Sequence, residues 1–141
     1  MRNQANETEA ILCGILEEKG CKNVTMNLAD SYEARKTHDI SWQWGNTTYT
    51  GELKEDYMAD MTGNVAIEIE WNGKESGITD TRAHYWFTKL ADGFWACKVK
   101  ELREWIKKNR PTLRVVRGGD RGASVMILIP VPDFLTINTK L

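Results

Sequence analysis

Residues 38–54, HDISWQWGNTTYTGELK, alternate between apolar and polar side chains on both sides of a central Gly-Asn pair. Successive side chains of a β-strand point to opposite faces, so each arm of this segment predicts a strand with one apolar face. A Gly-Asn pair suits a two-residue hairpin loop. With that loop, Trp44 pairs with Thr47 and Trp42 lies opposite Tyr49. This register constrains the position of every other side chain in the hairpin.

The same register brings two acidic side chains together on the polar face. Asp39 is expected opposite Glu52, and Lys54 follows on the same face. Opposed carboxylates roughly 5 Å apart repel each other, which is unfavourable in a structural hairpin but suitable for a divalent cation. Oxygen ligands with no nearby His or Cys favour Mg²⁺ or Mn²⁺, which commonly bind substrate phosphates. A lysine beside such a metal can orient or deprotonate the attacking water.

An Asp followed by Glu-x-Lys resembles the motif of the PD-(D/E)XK nuclease superfamily. Here the motif consists of Asp39 and Glu52-Leu53-Lys54, with His38 in place of the usual preceding Pro. The resemblance implies a metal held by Asp39, Glu52 and the Leu53 carbonyl, with Lys54 acting on the hydrolytic water.

The segment from Asn6 to Gly20 predicts a helix that ends at the glycine. Its apolar stripe consists of Ile11, Leu12, Ile15 and Leu16. With Glu9 one turn ahead of Leu12, ETEAILCGILEEKG resembles the opening helix of archaeal Holliday-junction resolvases of the same superfamily. That likeness implies a catalytic set of Glu9, Asp39, Glu52 and Lys54, in which Glu7 could replace Glu9.

Two later stretches, TGNVAIEIEWNGKESGIT and RVVRGGDRGASVMILIP, resemble small phage and prophage proteins of this nuclease type. The likeness implies a virus-encoded enzyme acting in the host cytoplasm. It leaves open a resolvase, an exonuclease or a restriction-type endonuclease, because fold alone does not choose among them. By analogy with resolvases, which act on symmetric junctions, a homodimer is expected.

Length and composition predict one domain over residues 1–141. A chain of 141 residues, 41% hydrophobic and with six Trp, can bury a core without disulfides or structural metals. We expect a cytoplasmic protein, because there is no apolar run long enough for a membrane helix and the polar start does not resemble a signal peptide. The three scattered cysteines are expected to be reduced thiols.

The near-neutral net charge of −1 conceals two segments of opposite sign. Residues 51–80 hold eight acidic residues against two lysines, whereas residues 98–121 hold nine Lys and Arg against three acidic residues. Lys and Arg that neutralise phosphates supply most non-specific affinity for DNA, so we expect the DNA backbone along the basic segment. The proposed contacts are Lys107, Lys108, Arg114, Arg117 and Arg121. The alternative is a solvated helix face with mixed charges.

The remaining pattern predicts an α/β fold with a mixed β-sheet flanked by helices, and the resemblance implies the restriction-endonuclease-like version of it. The predicted strands are Asn23–Leu28, Val65–Trp71, Tyr85–Leu90, Phe94–Val99, Leu113–Arg117 and Val125–Ile129, with a second helix at Lys100–Asn109. Glu68 and Glu70, which follow the hairpin closely, could support the metal ligands from a second layer; exposed strand charges are the alternative.

Together these features predict a Mg²⁺-dependent or Mn²⁺-dependent DNA endonuclease that acts on branched or structured DNA. The alternatives are a phage exonuclease, a restriction-type endonuclease, and a nucleic-acid-binding module on a catalytically silent nuclease fold.

Overall fold

The first helix begins four residues before the predicted Asn6, and the hairpin that follows it has the predicted loop. The computed structural model describes residues 2–27 and 39–141. Helix α1 spans Arg2–Glu18, and the turn after it contains Gly20 at a φ of 100°. Strand β2 spans Ile40–Trp44 and β3 spans Thr47–Glu55, which leaves Gly45 and Asn46 as the loop. The predicted two-residue hairpin is therefore confirmed.

The described elements form two β-sheets with helices beside them. The other strands are β1 Lys22–Met26, β4 Asn64–Trp71, β5 Lys74–Glu75, β6 Tyr85–Leu90, β7 Gly93–Lys98, β8 Arg114–Gly118, β9 Ser124–Pro130 and β10 Thr139–Lys140. The other helices are α2 Ala59–Thr62, α3 Val99–Asn109 and α4 Val131–Thr136. Leu28, the predicted end of the first strand, and His38 lie outside the described residues.

The first sheet has the strand order β1-β2-β3-β6-β7-β10. Strands β3 and β6 run parallel, and the other neighbours in this sheet run antiparallel. A parallel pair needs a long crossover, which here contains α2, β4 and β5. The sheet is mixed and flanked by helices, so the predicted α/β fold class is confirmed.

The second sheet is antiparallel, in the order β5-β4-β9-β8. It packs with α3 and α4 against one face of the first sheet, around Ile67, Trp86, Leu102 and Ile127. The opposite face of the first sheet packs against α1 through a second cluster that contains Leu12, Trp42 and Phe87. The first sheet is thus the middle layer, and its strands β6 and β7 contribute side chains to both cores.

Candidate metal-carboxylate site on the central hairpin

The ladder between β2 and β3 fixes which side chains share a face. Trp42 lies opposite Tyr49, as predicted, and the last ladder pair joins Ile40 to Gly51. A Cβ atom on Gly51 would collide with the Phe87 ring. Because Gly51 has no side chain, β3 can lie close to the Phe87 ring.

Asp39 lies just before the first residue of β2, and its contacts differ from a simple cross-strand pair. Its amide donates to the Gly51 carbonyl at 2.9 Å, and its Oδ2 accepts a hydrogen bond from the Leu53 amide at 2.8 Å. The predicted direct pairing of Asp39 with Glu52 is therefore not formed. The Asp39 carboxylate instead accepts a hydrogen bond from the backbone amide of the next residue on β3, Leu53. The N–H and C=O groups of one strand residue point to the same side, so the Leu53 carbonyl is directed toward the Asp39 edge of β3.

Glu52 carries its charge in a sheltered position. Its side chain is only 13% exposed, and its Oε1 lies 3.4 Å from the Lys54 Nζ. Its Oε2 is buried and has no hydrogen-bond partner among the described residues. Burial raises the pKa of Glu52, and the nearby Asp39 charge adds to that effect, while Lys54 and the Thr81 hydroxyl oppose it. A cation near Oε2 would relieve both the missing contact and the cost of ionisation.

Lys54 is the exposed member of the group. Its side chain is 46% exposed, and its ammonium lies 5.7 Å from the centre of the Trp86 ring, on the same sheet face as Glu52. Trp86 pairs with Glu52 and Thr88 pairs with Lys54 in the parallel ladder of β3 and β6. The Trp86 Nε1 and Thr88 Oγ1 atoms are buried and, like the Glu52 Oε2, lack a partner within residues 2–27 and 39–141. Glu52, Trp86 and Thr88, on one face of the β3–β6 ladder, thus each carry a polar atom with unfilled hydrogen-bonding capacity.

Glu9 lies on α1, the helix that covers the other face of the first sheet. It is 6% exposed, and the neighbouring Thr8 hydroxyl donates to Glu55 at the end of β3. In the part of the chain that the structure describes, no three His, Cys, Asp or Glu side chains form a metal-binding group. The structure therefore brings Asp39, Glu52 and Lys54 together but does not add Glu9 as a third acidic ligand. Glu7, the alternative, is exposed on the same helix.

The two candidate supporting carboxylates lie in the second sheet. Both Glu68 oxygens accept hydrogen bonds, from Ser76 at 2.5 Å and from Ser124 at 2.9 Å. Glu70 lies opposite Glu75 on the short strand β5. The contacts of Glu68 tie β9 and the segment after β5 to β4, which is a structural role.

The predicted basic contacts are spread over two regions. Lys107 and Lys108 are in the last turn of α3. Arg114 and Arg117 lie on β8, which is last in the strand order of the second sheet, and Arg121 follows in the loop to β9. All five side chains are exposed.

Two residues next to the hairpin have contacts that sequence patterns did not indicate. The Arg103 guanidinium on α3 donates to the Ile78 carbonyl at 2.7 Å and to the Thr81 carbonyl at 2.6 Å. Thr81 is buried, and its hydroxyl helps to lower the pKa of Glu52. Arg103 thereby holds the segment that supports the carboxylate. Only tertiary packing reveals this contact, because residues 78 and 103 belong to separate elements with no shared local pattern.

The fold is similar to that of a solved nuclease structure. The similarity is to a bacterial homing endonuclease, with a TM-score of 0.55 and 12% sequence identity over 92% of this chain and 78% of that chain. At this identity the likeness establishes a shared fold. No family model and no curated protein matches the chain.

None of the helices in the described ranges is long and apolar enough to cross a bilayer.

Proposed function

We propose that this protein is a metal-dependent nuclease of the PD-(D/E)XK type that hydrolyses phosphodiester bonds in DNA. The observation that carries the proposal is the buried, unpartnered Oε2 of Glu52, close to the Asp39 carboxylate and on the same strand as Lys54. A buried carboxylate oxygen without a partner is costly in a purely structural strand. It fits a site that is completed by a cation.

The donor set suits Mg²⁺ or Mn²⁺. Asp39, Glu52 and the Leu53 carbonyl would hold the ion, and hard oxygen donors of this kind are the ligands that both ions accept. When bound, such an ion polarises the phosphate and lowers the pKa of a coordinated water. Glu9 is proposed to support the site from α1, directly or through water.

Lys54 is proposed to act on the attacking water and the phosphate. The Lys54 ammonium lies 3.4 Å from Glu52 Oε1, so the carboxylate holds this ammonium beside the metal ligands. From there it can orient the water for in-line attack and stabilise the negative charge that develops on the phosphate oxygens. Its exposure leaves it accessible to a substrate that approaches from solvent.

DNA is the proposed substrate, with branched or structured DNA as the preferred form and a homodimer as the acting unit. The shared fold with a homing endonuclease and the basic segment after β7 support a DNA substrate. An exonuclease or a restriction-type endonuclease would use the same site. A nucleic-acid-binding module would keep the basic surface without cleavage.

The site is tested by comparing variants on matched four-way junction, flap, linear duplex and single-stranded DNA with Mg²⁺ or Mn²⁺. Lys54→Ala should lower cleavage about 100-fold or more, because it removes a charge that stabilises the transition state, while DNA affinity stays nearly unchanged. Asp39→Asn should also weaken Mn²⁺ binding, measured by calorimetry, because it removes a charged ligand.

The matched control is Lys74→Ala, which neutralises an exposed lysine on β5 and should cleave like the parent. Cleavage of all variants at the parent rate would contradict the proposed site. A protein that binds DNA and cleaves none of the substrates would be a binding module. Symmetric nicks on the junction would identify a resolvase, whereas stepwise loss of end label without cutting of closed circles would identify an exonuclease.

A further inference from the structure

Three basic residues follow one face of α3, and a fourth, Arg110, continues the row directly after its last residue. Lys100, Arg103, Lys107 and Arg110 are spaced three, four and three residues apart, and residues at these separations are neighbours on a helix surface. They flank the buried face of the helix, which consists of Val99, Leu102 and Ile106. We call these four residues the α3 stripe. Over this distance the helix rises about 15 Å.

The α3 stripe borders two adjoining cavities. One, of about 280 Å³, is lined by Lys100 and Arg103 together with Tyr49, His84 and Tyr85. The other, of about 450 Å³, is lined by Arg103, Lys107 and Arg110, with Ile78 at its apolar wall and Glu75 at one side. Arg103 lines both, so the two cavities adjoin at this residue; one has an aromatic lining and the other a cationic lining. We call the two cavities together the α3 groove.

The α3 groove adjoins the segments that carry the carboxylate site. Arg103 donates to the Thr81 carbonyl, and the Thr81 hydroxyl helps to lower the pKa of Glu52. At the aromatic end, His84 Nδ1 accepts a hydrogen bond from the Thr50 amide at 3.0 Å, two residues before Glu52 on β3. A ligand in the groove would therefore lie beside the strand that carries the proposed catalytic groups.

We propose that the α3 groove binds an unpaired nucleic-acid strand. Its phosphates would follow Lys100, Lys107 and Arg110, and a base would pack against the Tyr49, His84 and Tyr85 rings. Cationic grooves combined with aromatic surfaces are the way proteins bind single strands, because every base offers a π-face and every link a negative charge. The location beside the hairpin rests on the proposed function, since it would lead a strand of structured DNA to the metal carboxylates.

The second sheet provides a matched control for this proposal. Lys74 is exposed on β5, next to Glu75 in sequence, but it lines neither cavity and lies outside the proposed basic contacts. A phosphate contact should make binding sensitive to loss of Lys107 and insensitive to loss of Lys74. A general charge effect would make the two substitutions equivalent.

The test measures binding of a fluorescein-labelled single strand, and of its duplex, by anisotropy without divalent metal and at several salt concentrations. Lys107→Ala and Arg110→Ala should each weaken single-strand binding about fivefold near 0.1 M salt and lower the salt slope by about 0.7, the value for one phosphate contact. Lys74→Ala should change neither quantity. The parent should bind the single strand more tightly than the duplex.

Equal effects of Lys107→Ala and Lys74→Ala, or no effect of either, would overturn the α3 groove as the strand path. Tighter binding of duplex than of single strand would overturn its specificity for unpaired DNA. A parent protein that cleaves DNA and whose Lys107→Ala variant binds normally would keep the proposed nuclease and lose the groove. A parent that binds through the groove but never cleaves would keep the groove and lose the nuclease.

Discussion

At the scale of single residues, Glu52 occupies a position that favours ligand binding over stability. Burial raises its pKa in the folded chain, so the metal-free protein holds a proton there more tightly than the unfolded chain, whose Glu pKa is roughly 4.3. The contribution of Glu52 to the stability of the metal-free fold is therefore greatest below that value, falls as pH rises through the folded pKa, and stays lower above it. We expect Glu52→Gln to unfold at higher denaturant concentration than the parent at pH 7 in EDTA, and the difference to vanish near pH 4. Denaturant titration with Glu75→Gln, at an exposed position, serves as the control; a Glu52→Gln variant that is less stable at pH 7 would contradict the assignment.

At the scale of elements, the close approach of β3 and β6 depends on Gly51. A methyl group there meets the Phe87 ring, so Gly51→Ala should destabilise the fold by about 1–3 kcal/mol, the usual cost of overpacking. Gly14 in α1 has open space where its Cβ would stand, and Gly14→Ala should stabilise the protein by up to about 1 kcal/mol, as expected for alanine over glycine in a helix. Urea unfolding of the two variants measures the difference. Equal effects of the two substitutions would show that the Phe87 contact does not limit the packing.

Element prediction succeeded where the signal was local. The hairpin of β2 and β3 follows from a period of two and a two-residue loop, and the strand Tyr85–Leu90 has the predicted boundaries. The strand predicted at Phe94–Val99 instead spans Gly93–Lys98, because Leu90 pairs with Gly93 across the two-residue turn Ala91-Asp92. Helices α2 and α4 are too short for a periodic pattern to indicate them. The Arg103 contact and the division into two sheets depend on packing between distant segments, which local patterns do not encode.

At the scale of the whole molecule, the proposed metal site couples ligand binding to global stability. A ligand that binds only the folded chain stabilises it by RT ln(1 + [L]/Kd), about 1.4 kcal/mol at a tenfold excess of Mn²⁺ over its Kd. For a chain of 141 residues that corresponds to a rise of about 4 °C in Tm. Asp39→Asn should lose most of this rise, whereas Lys74→Ala should keep it; both are measured by thermal denaturation. A rise of the same size in Asp39→Asn would mean that the metal binds elsewhere.

Alternate side chains of β3 face different environments, so selection acts on them for different properties. Tyr49, Gly51 and Leu53 face the α1 core, whereas Glu52 and Lys54 face the proposed reaction site. Mutations at the core-facing positions of β3 should therefore change the stability of the protein, whereas mutations at the site-facing positions should change its activity. Leu53 belongs to both groups, since its side chain packs in the core and its backbone amide holds Asp39. Leu53 could be replaced by another apolar residue during evolution without loss of the contact to Asp39. The contact is made by the backbone amide, which every amino acid except proline supplies.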